Sequence, residues 1–148
     1  MIGTMLAAAL LAMPGVPVGA SVQGTALIQV HNPDSVFEVT VDARGDAGTI
    51  RFEHRFQGES GWATGIVDCV RTGGPVGVVT GKVDRVHRIG WLKPGDRFSL
   101  SVYDHGRRDR IGMAWQQEAA HCLGPAPDRA ITGGNLKVRA GSGTDAPD

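Results

Sequence analysis

Hydrophobic and polar residues alternate with a period of two in several stretches of this chain. Segment 49–57, TIRFEHRFQ, shows the pattern most clearly, because Ile50, Phe52, His54 and Phe56 share one face and polar residues fill the other. Alternation of this kind predicts a β-strand with one face on a core and one face in water. The stretch RGDAG joins this strand to an earlier alternating segment, VFEVTVD, and together they predict an antiparallel hairpin.

Eight segments have the character of strands, and turns rich in Gly, Pro and Asp separate them. They cover residues 25–31, 36–42, 49–57, 62–72, 76–84, 97–104, 110–116 and 133–140. Gly65 inside the fourth segment predicts a β-bulge or a close backbone approach, and the dense valines of the fifth predict burial on both faces. No helix is predicted. The chain therefore predicts an all-β antiparallel fold, a small barrel or sandwich of seven to eight strands.

The first twenty residues predict a secretory signal peptide. They carry no charged side chain, residues 5–12 are apolar, and VGA before Ser21 fits the small-residue pattern for signal peptidase. The segment also lacks the usual Lys or Arg, which leaves open a start codon upstream of Met1. The apolar run is too short to span a bilayer, so no membrane anchor is predicted. The predicted organisation is a signal peptide at 1–20, a secreted β domain at 21–140 and a disordered tail at 141–148.

Charge balance and motifs exclude several classes of function. The 15 basic and 15 acidic residues cancel, so no net field favours nucleic acid or an anionic membrane as a partner. The chain has no P-loop, no dinucleotide-binding fingerprint, no H-E-x-x-H and no G-x-S-x-G. We therefore predict no cofactor, no catalytic residue and no enzymatic activity.

Cys69 and Cys122 are the two cysteines of the chain. In an exported protein an even pair predicts a disulfide, because a free thiol would oxidise. A zinc site would need more thiolate and imidazole ligands in register, and the sequence has no C-x-x-C. The disulfide would close a loop of about 50 residues and stabilise the fold by roughly 4 kcal/mol.

A series of short motifs carries a resemblance to known proteins. GIVDCV, a valine-rich strand ending in VTGKV, GDRFSLSVYDHG, DRIGMAW and GGNLKV follow one another in this order. Over about residues 35–140 the series resembles a family of small secreted β proteins common in actinobacteria, and it is similar to post-COAP-type β domains of extracellular proteins. The resemblance implies secretion, a β fold and no established reaction. It also implies an architectural role for the two cysteines and for Val102, Asp104 and Gly106.

The stretch SVYDHGRRDRIGMAW, residues 101–115, holds a dense set of charged side chains. Asp104 and Gly106 lie where two predicted strands must reverse, and turn chemistry explains both. This favours a hairpin tip whose charges, that of Asp109 included, are solvated. The alternative is a metal site in which Asp104 and Asp109 hold a divalent cation with backbone carbonyls, although calcium takes six to eight oxygen ligands.

His54 is the first candidate for ligand binding. It lies on the apolar face of its predicted strand, and an inward imidazole is a polar group of the kind that fixes a ligand in a pocket. Asp68 is the expected companion. Two aromatic residues, Trp91 and Tyr103, are further candidates, because their positions predict exposed rings that can stack on a sugar. Trp115 instead alternates with core positions.

These observations predict a secreted, non-catalytic β domain that acts as a binding or accessory module at the cell surface. Its expected partner is a cell-wall glycan or an extracellular protein. The alternative is an extracellular hydrolase, or a small-ligand-binding barrel, that uses the inward His54. A cavity inside the sheet would favour the alternative, and a filled interior with an exposed aromatic patch would favour the module.

Overall fold

The computed structural model of this chain describes residues 19–30 and 35–141. Nine strands form one antiparallel sheet that curls into a half-barrel. They are β1 (Ser21–Gln29), β2 (Ser35–Arg44), β3 (Ala47–Phe56), β4 (Glu59–Gly73), β5 (Val76–His87), β6 (Arg97–Tyr103), β7 (Arg110–Trp115), β8 (Arg129–Ala130) and β9 (Gly133–Arg139). The all-β antiparallel prediction is confirmed. The strand count exceeds the expected seven to eight because β8, with two residues, is too short to show any periodicity.

Strand order follows chain order through most of the sheet: β8-β7-β6-β5-β4-β3-β2-β1-β9. Two-residue turns at 45–46, 57–58 and 74–75 join β2 to β3, β3 to β4 and β4 to β5. Gly45 and Asp46 both have positive φ, 59° and 64°, as a type I′ hairpin turn requires. So short a turn fixes the register, which places Phe37 opposite His54.

The two edges of the sheet lie beside each other. β8 pairs with β7, and β9 pairs with β1 at the opposite end of the strand order. The chain passes from Ala130 of β8 to Gly133 of β9, and three Cα steps of about 3.8 Å span less than about 12 Å. On the way, the amide of Thr132 donates to the carbonyl of Leu27 in β1 (2.7 Å). The sheet therefore has to curl until its edges approach.

Two carboxylates next to β6 and β7 bind the backbone of β9. Asp109 Oδ2 accepts a hydrogen bond from the Leu136 amide (2.8 Å), and its Oδ1 accepts one from the His105 amide (2.8 Å). Asp104 Oδ2 accepts a hydrogen bond from the Val138 amide (2.9 Å). Side-chain oxygens thus take the place of a neighbouring strand along this edge of β9.

The prediction that the charges of the β6–β7 connection are solvated is wrong for Asp109. His105, Arg107 and Arg108 are exposed as expected, and residues 106–108 form a short 3-10 helix. Asp109, however, is completely buried. Its carboxylate turns inward because the amides on this side of β9 need an acceptor. The sequence pattern around Asp109 gives no sign of a donor as distant as residue 136.

The core lies on the concave side of the sheet, as the alternation predicts. Ile50 and Phe52 of β3 are completely or almost completely buried, and Arg51 between them is exposed. His54 is half-buried, and the two polar residues beside it are also half-buried rather than exposed. Phe56 departs from the prediction, with 40 % of its surface exposed, because β3 ends there at the rim of the sheet.

The β4–β5 ladder has a bulge at Gly65, with Asp84 of β5 as the extra residue, and β5 is covered on both sides around Val79 and Thr80. The β4–β5 register shifts between Thr64 and Gly65, and a Cβ at Gly65 would lie 2.7 Å from the Phe98 ring, so the close approach requires glycine. In β5, Val79 points into the core, and the next residue, Thr80, is buried on the other face. There it accepts a hydrogen bond from the backbone of the segment that follows β7.

The ends of the chain bear on two further predictions. Residues 1–18 of the predicted signal peptide and residues 142–148 of the predicted tail lie outside the described residues. Ala20, at the predicted cleavage point, is described, and its carbonyl accepts a hydrogen bond from the Gly45 amide (2.9 Å). Within the described ranges, no helix has the length and hydropathy to cross a membrane.

We expect Asp109→Asn to lower the free energy of unfolding by about 2 kcal/mol. Each carboxylate oxygen of Asp109 accepts a separate amide, so an Asn side chain would keep one acceptor and turn its NH2 group toward the other donor. Urea unfolding followed by tryptophan fluorescence measures the change. Asp128→Asn, at an exposed carboxyl near β8, is the control and should cost less than about 0.5 kcal/mol. Equal stabilities of the two variants would contradict the bridging role of Asp109.

Candidate functional site

A cavity of about 550 Å³ opens on the concave side of the curled sheet. β8 pairs only with Arg110 and Ile111 at the start of β7. The cavity lies past the end of this pairing, beside the rest of β7. The lining residues are Ile28, Val30, Ser35, Phe37, His54, Trp91, Ile111, Gly112, Met113, Trp115, Pro125, Ala126, Asp128 and Arg129. We call this space the edge cavity. It is the kind of concave, mainly apolar space in which small molecules bind.

Aromatic rings form one wall of the edge cavity. The ring of Trp115 packs edge-on against the buried Phe52 (4.7 Å between centroids) and against Phe37 (6.4 Å). Trp91 meets Trp115 edge-on at 5.1 Å and has 52 % of its surface exposed, so it stands at the mouth. These edge-to-face contacts are a favoured geometry for aromatic pairs. The cavity therefore has a wall of aromatic rings that is held rigid by the packing of Trp115 on Phe52 and Phe37.

The loop that carries Trp91 is fixed by polar contacts. Gln116 Nε2 donates to the Trp91 carbonyl (2.8 Å) and to Asp96 Oδ2 (3.0 Å). The hydrogen bond from Gln116, with a second from the Lys93 amide, holds the pKa of Asp96 below its ordinary value. Asp96 therefore stays ionised at neutral pH, and its charge favours both hydrogen bonds.

His54 and Ser35 form the less exposed polar part of the wall, and the exposed Asp128 and Arg129 also line the cavity. Ser35 Oγ lies 2.8 Å from His54 Nε2, and Ser35 is almost completely buried. The imidazole also lies beside the rings of Phe37 (6.0 Å) and Phe56 (6.2 Å). One hydroxyl and one imidazole in an apolar wall can fix the orientation of a ligand through a hydrogen bond.

Sequence reasoning missed Ser35, although a signal for it exists. The alternation that places Phe37 and Val39 of β2 inward reaches Ser35 when it is extended by two residues. The two-residue turn at 45–46 then aligns β2 and β3 so that Ser35 and His54 are diagonal neighbours. Taken together, the alternation and the turn are sufficient to predict the contact.

The structure brings together two of the four predicted ligand-binding residues. His54 and Trp91 both line the edge cavity, whereas Tyr103 and Asp68 do not. Tyr103 stacks on His105 (5.3 Å), beside the β6–β7 connection. Trp115, which the alternation assigned to the core, is half-buried and lines the cavity as well.

The expected pairing of His54 with Asp68 is wrong. Ala63, Gly65 and Val67 occupy the core side of β4, and the next residue, Asp68, is the extra residue of a bulge between Val67 and Cys69. Asp68 therefore faces away from the core and bonds to Thr80 Oγ1 (2.9 Å) and the guanidinium of Arg97 (3.2 Å). Partial burial raises the pKa of Asp68, but the hydrogen bond from Thr80, the guanidinium of Arg97 and the nearby His121 together lower it below its ordinary value.

The candidate cation ligands have other partners. Asp104 and Asp109 accept backbone hydrogen bonds from His105, Leu136 and Val138, which accounts for both carboxylates without a cation. Because their oxygens face amide hydrogens, the structure gives the alternative of a metal site at Asp104 and Asp109 no support.

The predicted disulfide is confirmed. Cys69 of β4 and Cys122 are bonded, with their Cα atoms 5.4 Å apart, inside the usual range for a disulfide. The bond holds the segment after β7 against the outer face of β4 and β5, where the Cys122 amide donates to Thr80 Oγ1 (3.1 Å). This covering segment buries the outer face of β5 around Thr80, whereas Lys82, Asp84 and Arg85 further along the strand are exposed.

Comparisons with known proteins add no family to this picture. No protein-family description, curated protein or solved structure matches the chain. A functional interpretation therefore depends on the geometry of the edge cavity.

We expect Asp68→Asn to destabilise the protein at neutral pH and to lose this effect in acid. The pKa of folded Asp68 lies below the ordinary value of 3.8, so its ionised form stabilises the fold above that pH. The contribution then disappears as the pH falls through the folded-state pKa. Urea unfolding of both proteins between pH 7 and pH 2 measures the difference, and the two stability curves should converge at the acid end. A constant gap across the whole range would contradict this assignment.

Proposed function

We propose that this protein is an exported, non-catalytic β domain that binds one small, mainly apolar ligand in the edge cavity. The observation that carries the proposal is the cavity itself, about 550 Å³ in volume and open to solvent beside Trp91. Pockets for small ligands and cofactors have volumes of roughly 300–1,000 Å³. The size thus favours a single molecule with one or two rings.

The lining favours a ligand that carries a flat apolar part. Phe37, Trp91 and Trp115 offer ring faces and edges, and Ile111 and Met113 of β7 extend the apolar surface. A flexible Met side chain adapts its shape to different ligands. A planar ring that enters between these side chains would bury apolar area at about 25 cal/mol per Å².

One polar group on the ligand would complete the fit. The His54–Ser35 pair presents an imidazole with a second ring nitrogen, and either atom of the existing bond can be the donor. A hydroxyl, amine or carbonyl on the ligand could therefore bond to this pair whichever way it is polarised. Such a group would set the direction in which the ligand enters.

The edge cavity supports a small apolar ligand better than the cell-wall glycan expected earlier. A glycan platform needs flat exposed rings with polar groups around them, and the rings near this cavity line a concave, largely apolar surface. Trp62 lies on the convex face, but its ring already contacts Arg51 (5.4 Å) and His87 (5.6 Å).

Export is part of the proposal. The Cys69–Cys122 disulfide supports it, because disulfides persist in oxidising compartments. The signal-peptide pattern of residues 1–20 and the resemblance to secreted β proteins support it as well. Balanced charge gives no reason to expect nucleic acid as a partner.

The Ser35–His54 contact favours a second candidate function, that of an extracellular hydrolase. A serine 2.8 Å from an imidazole is the geometry of a nucleophile and its base. Two features weigh against it: Ser35 is almost completely buried, and within residues 19–30 and 35–141 no carboxylate bonds to His54 to orient it as a triad requires. Binding is therefore preferred.

We expect the protein to bind N-phenyl-1-naphthylamine, a neutral probe whose naphthyl and phenyl groups are joined by one N–H group, with micromolar affinity. The probe fluoresces more strongly in an apolar pocket, so titration gives the dissociation constant. Trp91→Ala and His54→Ala should each weaken binding about tenfold, which corresponds to about 1.4 kcal/mol. His87→Ala removes an exposed imidazole on the convex face and should leave the affinity unchanged. Absence of binding to the wild type would overturn the proposal.

We expect the wild-type protein to hydrolyse p-nitrophenyl butyrate no faster than Ser35→Ala does. This follows if Ser35 serves only to orient His54, because a buried hydroxyl cannot reach an ester carbonyl. Absorbance of released p-nitrophenolate measures both rates. A wild-type rate more than tenfold above that of Ser35→Ala would favour the hydrolase instead.

A further inference from the structure

The disulfide lies in a second group of chemically reactive side chains, separate from the edge cavity. The sulfur atoms of Cys69 and Cys122 and a ring nitrogen of His121 lie within 4.8 Å of one another. In the described part of the chain, this is where three side chains able to bind a metal converge. Cys69 is buried, whereas 58 % of the His121 side chain is exposed. The group is thus anchored in the protein and open to solvent on one side.

Asp68 holds the histidine of this group in place. Its Oδ1 lies 3.2 Å from Nδ1 of His121, and Thr80 and Arg97 fix the carboxylate in turn. A histidine whose Nδ1 is engaged by a carboxylate has its other ring nitrogen available to a metal. This pairing recurs around zinc-bound histidines, where the carboxylate orients the ring and makes it a better ligand.

The backbone at Cys122 is held in an unusual conformation. Its φ of 65° lies in the left-handed region, which non-glycine residues seldom adopt. The Cys122 amide donates to Thr80 Oγ1, and the same hydroxyl donates to Asp68. One threonine thus positions both the cysteine and the carboxylate behind His121. Conformations of this kind persist where the surroundings enforce them, and they concentrate at functional sites.

We propose that reduction of the Cys69–Cys122 bond converts this group into a zinc site with two cysteine ligands and one histidine ligand. A dithiol supplies two electrons and two protons to the S–S bond, which gives two thiols, and the dithiol itself becomes a disulfide. One Zn²⁺ then displaces both thiol protons and binds the two thiolates and the imidazole of His121. Solvent completes the tetrahedral coordination, as in zinc sites with three protein ligands.

The ligand set and its position decide the choice of metal and its role. Thiolate and imidazole suit Zn²⁺, whereas Mg²⁺ and Ca²⁺ prefer oxygen ligands. The metal would connect β4 to the covering segment at the place where the disulfide connects them now. The same two parts of the fold would therefore stay joined in both redox states, by a covalent bond in one and by a metal ion in the other.

Cobalt binding tests the proposal, because Co²⁺ reports thiolate ligation by absorbance. The full chain is reduced with a phosphine and titrated with Co²⁺. We expect a thiolate-to-cobalt charge-transfer band and visible d–d bands that saturate at one Co²⁺ per chain and vanish when Zn²⁺ is added. The oxidised protein and reduced Cys122→Ser should not show these bands. Their absence from the reduced wild type would overturn the proposal.

His121→Ala distinguishes a built site from two thiols alone. It should weaken Co²⁺ binding at least tenfold, whereas His87→Ala, at an exposed histidine elsewhere on the convex face, should leave it unchanged. Equal binding by His121→Ala and the wild type would overturn the proposal. If reduction unfolds the protein, Zn²⁺ should restore the far-UV circular dichroism of the wild type and not that of His121→Ala. Failure of Zn²⁺ to restore it would also overturn the proposal.

Discussion

The hydrogen bonds from the β9 backbone to two aspartates are the contacts on which the shape of the molecule depends. One edge of β9 pairs with β1, and amides on its other edge donate to Asp109 and Asp104. A buried amide without an acceptor would cost about 1–3 kcal/mol, so these carboxylates allow the sheet to bring its edges together without a complete ladder. The curl encloses the core, and the incomplete closure leaves the edge cavity reachable.

The bulge at Asp68 divides the molecule into two chemical environments. Before the bulge, β4 points small residues such as Ala63 and Gly65 toward the concave core. After it, the alternation reverses, and Cys69 joins Asp68 on the convex side, under the segment that follows β7. A single inserted residue thus separates an apolar interior with one imidazole from an outer cluster of sulfur, imidazole and carboxylate groups.

The sequence predicts local pairing well and long-range closure poorly. Alternation and turn composition are sufficient for the β2–β3 hairpin and for the burial of Phe52, because each depends on neighbours a few residues away. The burial of Asp109 depends on an amide at Leu136, and no periodicity encodes that contact. The same limit explains the site: His54 was predicted to point inward, but its cavity is completed by Trp91 and β7, which only the curl brings near.

The pairing of β1 with β9 has a mechanical consequence. Ser21 lies opposite Arg139, so the two ends of the folded domain leave the sheet side by side. Force applied between them would open the β1–β9 ladder one pair at a time, as a zipper opens, and would not shear all its hydrogen bonds together. The loop closed between Cys69 and Cys122 contains β5, β6 and β7. Tension along the backbone would bypass that loop, so those three strands would carry no load and add nothing to the extended length until the disulfide was cut.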